Sequence, residues 1–546
     1  MGSRSTGGRK DSMATVSHPR IRPDVLDERA YQTAIADAAI RANTLVVLPT
    51  GLGKTAIALR VAAEYLLNEP QRSILLMAPT KPLVAQHARS VAETLFCPPP
   101  LVLTGEISPE RRRTLLSPPQ MVVATPQVIA NDLAQGTFPL STFSLVIFDE
   151  AHRAVGDYPY VAIGRALRET PVRVLAMTAS PGSKLDRVQA VWANLGIEHF
   201  ELRSATDPDV LPYTYGTEVQ RVDVPLPPEV RRLAVYLRSV VQRQVETLHR
   251  LGYFPSQNAG RRELLAVGFT LRREVTAARK RGENPDGRVW QAVTAQAVAM
   301  KALHGLILAE TQGVEALRKY LGGRGQKKDG RVRPSDRVFL TDPDIVELQR
   351  HLDRLDLEHP KLARAVEIVT DQIRSNPAAR VILFAHYRQT ADALVERFSQ
   401  TPNGPVRAAR FVGQATHGSD TGLSQKEQVD LLDRFRAGEI NCLVATSVGE
   451  EGLDIPSTDL VVFYEPVADE VRTIQRRGRT GRFRAGRVIV LVTEDTRDVG
   501  TFHSAGRKEQ RMHEMLEKVE AQSQKGALAP PPKPTVQSTL DELPSA

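Results

Sequence analysis

The residues with the clearest chemical potential form a glycine-rich run that ends in a lysine and a threonine. The run, LPTGLGKT from Leu48 to Thr55, follows a short apolar strand pattern and precedes a helical one. Glycines let backbone N–H groups cradle phosphate oxygens, a lysine can reach the β- and γ-phosphates, and a threonine hydroxyl can hold Mg²⁺. Leu48 stands where the simplest form of this loop has its first glycine. The run predicts an ATP site made of Pro49, Thr50, Gly51, Leu52, Gly53, Lys54 and Thr55.

A second candidate group is the acidic pair at the end of the apolar strand pattern LVIFDEAH. Open α/β sheets carry their ligand groups at the carboxyl ends of the strands. We expect Asp149 to hold the metal ion and Glu150 to polarise the attacking water, because hydrolysis needs a neutralised phosphate and an oriented nucleophile. His152 joins them as a candidate catalytic residue. An acidic helix N-cap is the structural alternative, but the phosphate-binding run about 95 residues upstream favours catalysis.

A third group is the arginine-rich stretch QRRGRTGR, from Gln475 to Arg482. Arg479 and Arg482 are three residues apart, which places them on the same side of a helix. Arginines delivered from a second domain can stabilise the charge of a phosphoryl group in transfer, so domain closure would gate hydrolysis. A basic solvated helix face is the alternative. Gln475, Arg479 and Arg482 are therefore predicted catalytic residues.

Two series of buried strands must position these groups. TLVVLP, SILLMAP, MVVATP, SLVIFDEAH and VRVLAMTAS alternate with helical patterns between Thr44 and Thr178, and a similar series begins near His359. Near-continuous apolar strands separated by helices predict parallel sheets covered on both faces. From Pro225 to about Asp336 the periodicity is helical. The predicted fold class is α/β: two doubly wound parallel-sheet domains with an all-helical domain inserted between them.

Composition sets the class of protein. The 546 residues are 41% hydrophobic and 25% charged, which excludes disorder as the main state, and the length implies about three domains. The two cysteines, Cys97 and Cys442, cannot build a disulfide framework. The chain has neither a run of eighteen apolar residues nor a secretory signal pattern. We therefore expect a cytoplasmic protein, nuclear if the source is eukaryotic, with no membrane partner.

The positive charge is concentrated in the helical insert. The whole chain has a net charge of +9, whereas residues 226–337 contain 22 Lys and Arg against 10 Asp and Glu. Such a cluster can neutralise backbone phosphates in a salt-sensitive, sequence-independent way. A solvated helix face that contacts nothing is the alternative. The candidate DNA-binding cations of the insert are Arg272, Arg273, Arg279, Lys280 and Arg281.

Together these motifs resemble the superfamily 2 helicases over roughly residues 27–498, apart from the insert. The resemblance implies that Tyr31 and Gln32 recognise adenine, that Thr178 and Ser180 couple hydrolysis to domain movement, and that Gly452 and Asp454 contact ATP. It also implies nucleic-acid contacts in both α/β domains. The residues that match those contact motifs are Pro79, Thr80, Lys81, Gly105, Thr125, Pro126, Gly413 and Thr446.

Four motifs resemble, residue by residue, the helicase half of the Hef and FANCM family: NTLVVLPTGLGKT, DEAHRAVGDYPYV, FVGQA and QRRGRTGR. That resemblance implies two RecA-like domains flanking a thumb-like helical domain, and ATP-driven, Mg²⁺-dependent 3′ to 5′ movement on forked or branched DNA in fork repair and recombination. The nuclease signature ERKxxxD of Hef does not occur in the chain. We therefore expect no cleavage by this chain. A separate nuclease, which is a candidate partner, or a nuclease domain truncated from the sequence would each explain the absence.

The predicted boundaries follow from these patterns. They are an N-terminal tail at 1–22, the first RecA-like domain at 23–224, the basic thumb-like insert at 225–337, the second RecA-like domain at 338–515 and a Pro-rich disordered tail at 516–546. QSTLDEL, from Gln537 to Leu543, resembles the start of a sliding-clamp-binding peptide but lacks its aromatic anchors, so an inert tail is the alternative.

Two other functions remain open from the sequence. The innate-immune RNA helicases share this architecture and a helical insert, so double-stranded RNA is the alternative substrate. A catalytically silent scaffold that binds junctions would have lost Lys54, Asp149, Glu150 or Arg479, and all four are in place.

Overall fold

The protein is described from a computed structural model. It covers residues 14–116, 118–137, 139–182, 185–213, 217–254, 260–323, 333–400, 404–414, 421–446, 458–467 and 486–524.

The first domain is built on a parallel sheet of seven strands, in the order β3-β4-β2-β5-β6-β1-β7, within the described residues. Alternate residues of β1 face different cores: Leu45 and Val47 belong to one apolar cluster, and Val46 to the other. Both faces of the sheet are therefore covered, which explains the near-continuous apolar strands. The strands are β1 (Thr44–Val47), β2 (Ser73–Met77), β3 (Leu101–Leu103), β4 (Met121–Ala124), β5 (Phe143–Phe148), β6 (Arg173–Thr178) and β7 (His199–Leu202).

Seven helices cover this sheet. Four of them, α3, α4, α5 and α6, carry proline in the first turn, where the missing N–H costs no hydrogen bond. The helices are α1 (Ala30–Arg41), α2 (Lys54–Asn68), α3 (Lys81–Thr94), α4 (Pro109–Leu115), α5 (Pro126–Ala134), α6 (Pro159–Leu167) and α7 (Leu185–Leu195).

The second α/β domain has a parallel sheet of six described strands, in the order β10-β11-β9-β12-β13-β8. Its strands are β8 (Thr217–Val224), β9 (Val381–Phe384), β10 (Ala408–Phe411), β11 (Cys442–Ala445), β12 (Leu460–Phe463) and β13 (Gly486–Thr493). Its described helices are α14 (Pro360–Ser375), α15 (Arg388–Ser399), α16 (Gln425–Ala437) and α17 (Arg497–Gln524).

A helical bundle lies between the two sheets in the chain, and we call it the thumb. Its central helix, α10, is long and apolar enough to cross a membrane by length and composition alone, but half of its most apolar window is buried, as in a core helix. The helices of the thumb are α8 (Pro228–Arg250), α9 (Arg261–Lys280), α10 (Gly287–Thr311), α11 (Val314–Gly322), α12 (Pro334–Leu340) and α13 (Pro343–Leu352).

This architecture confirms the predicted fold class, but both predicted boundaries of the helical insert differ from the structure. Residues 217–224 form β8, which pairs with β13 over eight residues at the edge of the second sheet and not with the first domain. The thumb extends past 337, because Phe339 and Leu348 pack in the same core as Leu233 of α8. A local strand or helix pattern does not reveal which domain the element will pack against. The predicted boundaries are therefore wrong where the chain passes from one domain to the next.

The predicted tails are also shorter than expected. Val16 and Ile21 are buried, and Ile21 forms a bridge with Leu95, so the first domain begins before residue 23. At the other end, α17 continues to Gln524 and its last turns pack on the first domain. The Pro-rich stretch that follows lies outside the described residues.

Candidate ATP site and nucleic-acid track

The carboxyl edge of the first sheet is divided into two halves by the strand order. β5, β6 and β1 carry the predicted ATP residues at their carboxyl ends, whereas β3, β4 and β2 carry the predicted nucleic-acid residues. The halves meet where β2 pairs with β5. This edge is where open parallel sheets bind ligands, so hydrolysis and nucleic-acid contact would occur side by side.

The phosphate-binding loop has the backbone that its glycines predict. Gly51 and Gly53 adopt left-handed φ angles of 88° and 84°. A Cβ on Gly53 would lie 2.3 Å from Nε2 of Gln32, so no other residue fits there without a shift. Gly53 caps α2, and the loop therefore delivers the free N–H groups of that helix N-terminus to one point.

Tyr31 and Gln32 bind the phosphate-binding loop through hydrogen bonds to its backbone. The hydroxyl of Tyr31 and the side-chain amide of Gln32 both donate to the carbonyl of Leu52, at 2.7 and 3.1 Å. Tyr31 is fully buried and Gln32 nearly so. Their observed role is to fix the loop, and adenine recognition by this pair stays a prediction.

Lys54 and Asp149 are two charged residues of the site with described partners. Nζ of Lys54 donates to the carbonyl of Leu48 at 2.9 Å. Asp149 lies directly after β5, is buried, and has its Oδ2 2.8 Å from Nε2 of His87. Burial acts to raise the pKa of Asp149, but the His87 hydrogen bond and the electrostatic effects of His87 and Lys54 outweigh it and lower the pKa below its ordinary value. Asp149 is therefore held as an anion.

Glu150 is presented by an unusual backbone conformation. Its φ of 51° is left-handed, which is uncommon and strained for a residue with a side chain. Its Oε2 is buried, lies 3.3 Å from Nδ1 of His152 and has no hydrogen-bond partner among the described residues. A buried carboxylate oxygen without such a partner is costly, so this atom is poised to accept a proton or a water hydrogen.

A short chain of contacts leads from Glu150 to the predicted coupling residues. Nδ1 of His152 is 3.1 Å from Oγ1 of Thr178, and Oγ1 of Thr178 donates to the carbonyl of Ser180 at 3.1 Å. The hydroxyl of Ser180 in turn lies 2.9 Å from the sulfur of Met512 on α17. Because α17 follows the last strand of the second sheet, the acidic pair of one domain is linked to the other domain.

These residues fit an ATP–Mg²⁺ complex by their donor set. The loop offers backbone N–H groups and one ammonium to phosphates, and the acidic pair offers an anionic carboxylate and a free carboxylate oxygen. Thr55 stands in the first turn of α2, where its hydroxyl would serve the metal together with Asp149.

The predicted nucleic-acid residues of the first domain lie together on the other half of the edge. Thr80 caps α3, and Nζ of the next residue, Lys81, forms a 2.7 Å ion pair with Glu106, beside Gly105. Thr125 precedes α5, whose first residue is Pro126, and its N–H donates to the carbonyl of Leu103. Pro79 lies two residues after the end of β2. Helix N-termini that share one edge are suited to binding phosphate groups.

The second domain repeats part of this arrangement. Gly413 and Thr446 follow the adjacent strands β10 and β11, and the N–H of Thr446 donates to the carbonyl of Phe411. Thr446 is buried, so a direct contact of its side chain with nucleic acid stays a prediction. The other predicted residues of this domain, Gly452, Asp454, Gln475, Arg479 and Arg482, lie outside the described residues.

The predicted cations of the thumb separate into two groups. Arg272, Arg273, Arg279 and Lys280 are exposed on α9, and none has a carboxylate partner within the described part of the chain. Arg281 instead forms a 2.8 Å ion pair with Glu283.

Sequence reasoning missed three residues that the tertiary structure brings to the ATP site. His87 lies on α3 of the nucleic-acid half and joins it to Asp149 of the ATP half. Tyr160 is fully buried and donates to the carbonyl of Asp149 at 2.7 Å. Met512 comes from more than 300 residues away. Tyr160 stands inside the motif DEAHRAVGDYPYV, but no local pattern indicated the contacts of these three residues.

Three protein families match the chain. Residues 29–188 match the DEAD/DEAH box helicase family, and residues 361–484 match the helicase conserved C-terminal domain. Residues 228–349 match the helical bundle described for an ATP-dependent RNA helicase. The last range follows the thumb as the structure has it.

Individual proteins extend the similarity over most of the chain. A Methanocaldococcus jannaschii protein that carries the name ATP-dependent RNA helicase MJ1505 is 36% identical over 92% of this chain, and the ATP-dependent DNA helicase mph1 of Neurospora crassa is 33% identical over 85%. The chain spans 62% and 41% of the lengths of these relatives. The crystal structure of the Pyrococcus furiosus Hef helicase domain is 40% identical, with a TM-score of 0.68, and the match covers 89% of this chain and all of that one.

Proposed function

Because this chain belongs to the Hef/FANCM-type superfamily 2 helicases and matches the helicase portion of that family, we propose that it is an ATP-driven motor that moves 3′ to 5′ on DNA and remodels forked or branched substrates. The forked substrate and the direction of movement are drawn from the family resemblance. A separate nuclease and, through Gln537–Leu543, a sliding clamp are the proposed partners.

The observation that carries the proposal is the division of the first sheet's edge. The residues predicted for ATP hydrolysis and those predicted for nucleic-acid contact occupy neighbouring strand ends, and His87 bonds to Asp149 across the line between them. A change in nucleic-acid contact at α3 can therefore reach the acidic pair through one hydrogen bond. This is the geometry that a nucleic-acid-stimulated ATPase needs.

In the proposed mechanism, each described residue has one task. The loop N–H groups and Lys54 bind and orient the phosphates, and Glu150 aligns the attacking water and accepts its proton at Oε2. Thr55 and Asp149 would hold Mg²⁺, which neutralises phosphate charge when bound. His152 and Thr178 transmit the state of Glu150 to Ser180, and from there to α17. Arg479 and Arg482 would complete the site from the second domain on closure.

The test is the ATPase rate at fixed salt with single-stranded DNA, forked DNA, a four-way junction, double-stranded RNA or no nucleic acid. We expect the highest rate with branched DNA. The matched control is Lys54→Ala, which should remove turnover in every condition. A rate that is indifferent to all nucleic acids would refute the motor assignment.

Double-stranded RNA is kept as a second candidate substrate because the M. jannaschii relative and the helical-bundle family both carry an RNA helicase name. The same experiment separates the two. Stimulation chiefly by RNA would replace DNA with RNA in the proposal and leave the ATP site unchanged.

A further inference from the structure

The outer face of α9 combines exposed apolar side chains with cations. Phe269 is 65% exposed and Leu265 is 42% exposed. Residues at spacings of three, four and seven share one side of a helix, which gathers the exposed residues around Phe269. We call this set the α9 outer face: Arg262, Leu265, Phe269, Arg272, Arg273, Thr276, Arg279 and Lys280.

In the part of the chain that the structure describes, no carboxylate forms an ion pair with the cations of this face. The two glutamates of α9 are engaged elsewhere: Glu263 accepts the backbone N–H of Gly260 at 3.0 Å, and Glu274 accepts the hydroxyl of Tyr253 at 2.6 Å. Within the described residues, none of the five cations of the α9 outer face forms an ion pair. The guanidinium of Arg272 instead lies 5.8 Å from the ring centre of Phe269.

A comparison with Val235 on α8, another exposed apolar residue of the thumb, shows how the unpaired cations around Phe269 differ from those elsewhere. Val235 is 59% exposed and is also flanked by arginines. Those arginines are all paired: Arg231 with Asp495, Arg232 with Glu229 and Arg238 with Glu310. The charge around Val235 is therefore satisfied within the protein, whereas that around Phe269 is available to a polyanion.

The inner face of α9 anchors the helix that carries Phe269. Leu264, Val267 and Leu271 are buried in the core of the thumb. The side-chain amide of Gln296 on α10 donates to the carbonyl of Leu264 at 3.0 Å, and a Cβ at Gly268 would lie 2.8 Å from that amide. The two helices thus approach closely, and the segment of α9 that carries the exposed Phe269 is held against α10.

We propose that Phe269, with Leu265 beside it, is a stacking platform for an unpaired base at the branch point of DNA, while the flanking cations bind the phosphates on either side. This rests on the proposed function and adds the residue that would recognise the point where strands separate. Every base has a π-face, so stacking recognises an unpaired base without sequence preference, and buried duplex bases do not offer that face.

The test is photocrosslinking of the full chain to forked DNA that carries 5-iododeoxyuridine at the first unpaired position. We expect a crosslink to the peptide containing Phe269, retained in Phe269→Tyr and lost in Phe269→Ala, and none when the modified base lies one turn inside the duplex. Phe269→Ala should weaken fork binding about tenfold, should leave binding to uniform duplex unchanged, and should preserve the salt dependence. Val235→Ala is the matched control, and it should change neither fork binding nor duplex binding.

Three outcomes would overturn the inference. Equal effects of Phe269→Ala and Val235→Ala would show that Phe269 contacts no base, as would equal losses on forks and duplex. A wild-type oligomer that Phe269→Ala dissociates would assign the face to a second copy of the chain. Wild-type protein that binds no DNA would instead refute the proposed function itself, so the two failures are distinguishable.

Discussion

Replacement of Met512 by alanine should release the end of α17 from the first domain. Three side chains of α17, Met512, Leu516 and Val519, are at most 2% exposed and lie in the first domain's core. Each contributes about 1.5–3 kcal/mol by burial. Glu520 adds a 3.4 Å hydrogen bond from the N–H of Leu202.

The magnitude follows from this small contact. Removing a buried methionine side chain costs about 2–5 kcal/mol, including the cavity that remains. The three side chains together contribute about 4.5–9 kcal/mol, so this loss is a large fraction of the free energy that docks the end of α17. Protection of its amides against hydrogen exchange should fall by roughly 30- to 5000-fold, because local opening sets that rate and 1.36 kcal/mol is a factor of about ten.

Met512→Leu separates packing from the hydrogen bond. Leucine keeps most of the volume, at a cost below about 1.5 kcal/mol, but it leaves the buried hydroxyl of Ser180 without its sulfur acceptor. We expect α17 to stay protected in this variant while exchange around Ser180 rises. In both variants the basal ATPase should persist and its stimulation by DNA should fall.

The assay is hydrogen exchange resolved by peptide, together with the ATPase rate with and without forked DNA. Glu517→Ala, at an exposed position of the same helix, is the control. If Met512→Ala leaves α17 as protected as Glu517→Ala does, the helix is held by something other than its apolar contact, and the reasoning is refuted.

Three further predictions concern the ATP site, the thumb and its junction. Lys54→Ala should abolish ATP turnover and leave DNA affinity close to that of the wild type, because Lys54 faces the loop; retained turnover would contradict the loop assignment. Replacing the four unpaired cations between 272 and 280 by glutamine should reduce the slope of log affinity against log salt by about 3, and an unchanged slope would exclude this face from binding. Burial lowers the pKa of His359 to about 4. Because this folded value is below the ordinary 6.5, the stability from neutral His359 is full above pH 6.5 and is lost as the pH falls towards 4, by about 3 kcal/mol. His359→Gln should flatten that part of the wild-type denaturation profile, and an identical profile would contradict it.

The His359 prediction has a structural basis at the joint between thumb and second domain. Nε2 of His359 donates to the carbonyl of Glu310, and Nδ1 accepts the N–H of Lys361. Lys361 is itself fully buried and paired with Asp498 at the start of α17. Both imidazole nitrogens are used by the neutral ring, so protonation would break one hydrogen bond and add a charge beside Lys361.

The sequence by itself determined the local chemistry of this protein. The phosphate-binding loop, the acidic pair and the alternation of strands and helices are each encoded in contiguous residues, because backbone geometry, burial and charge at such sites depend on near neighbours. The fold class was therefore predictable. Gly53 illustrates the limit, since its left-handed φ was expected but its closeness to Gln32 was not.

Only the tertiary structure decided what joins these local units. Membership of β8 in the second sheet, the return of α17 to the first domain, the His87–Asp149 bond and the open charge around Phe269 all depend on partners distant in the chain. Periodicity shows that a face will be buried or exposed, but not what will cover it or which charges will be paired. Those outcomes follow from long-range packing, in which each contact depends on the position of every other element.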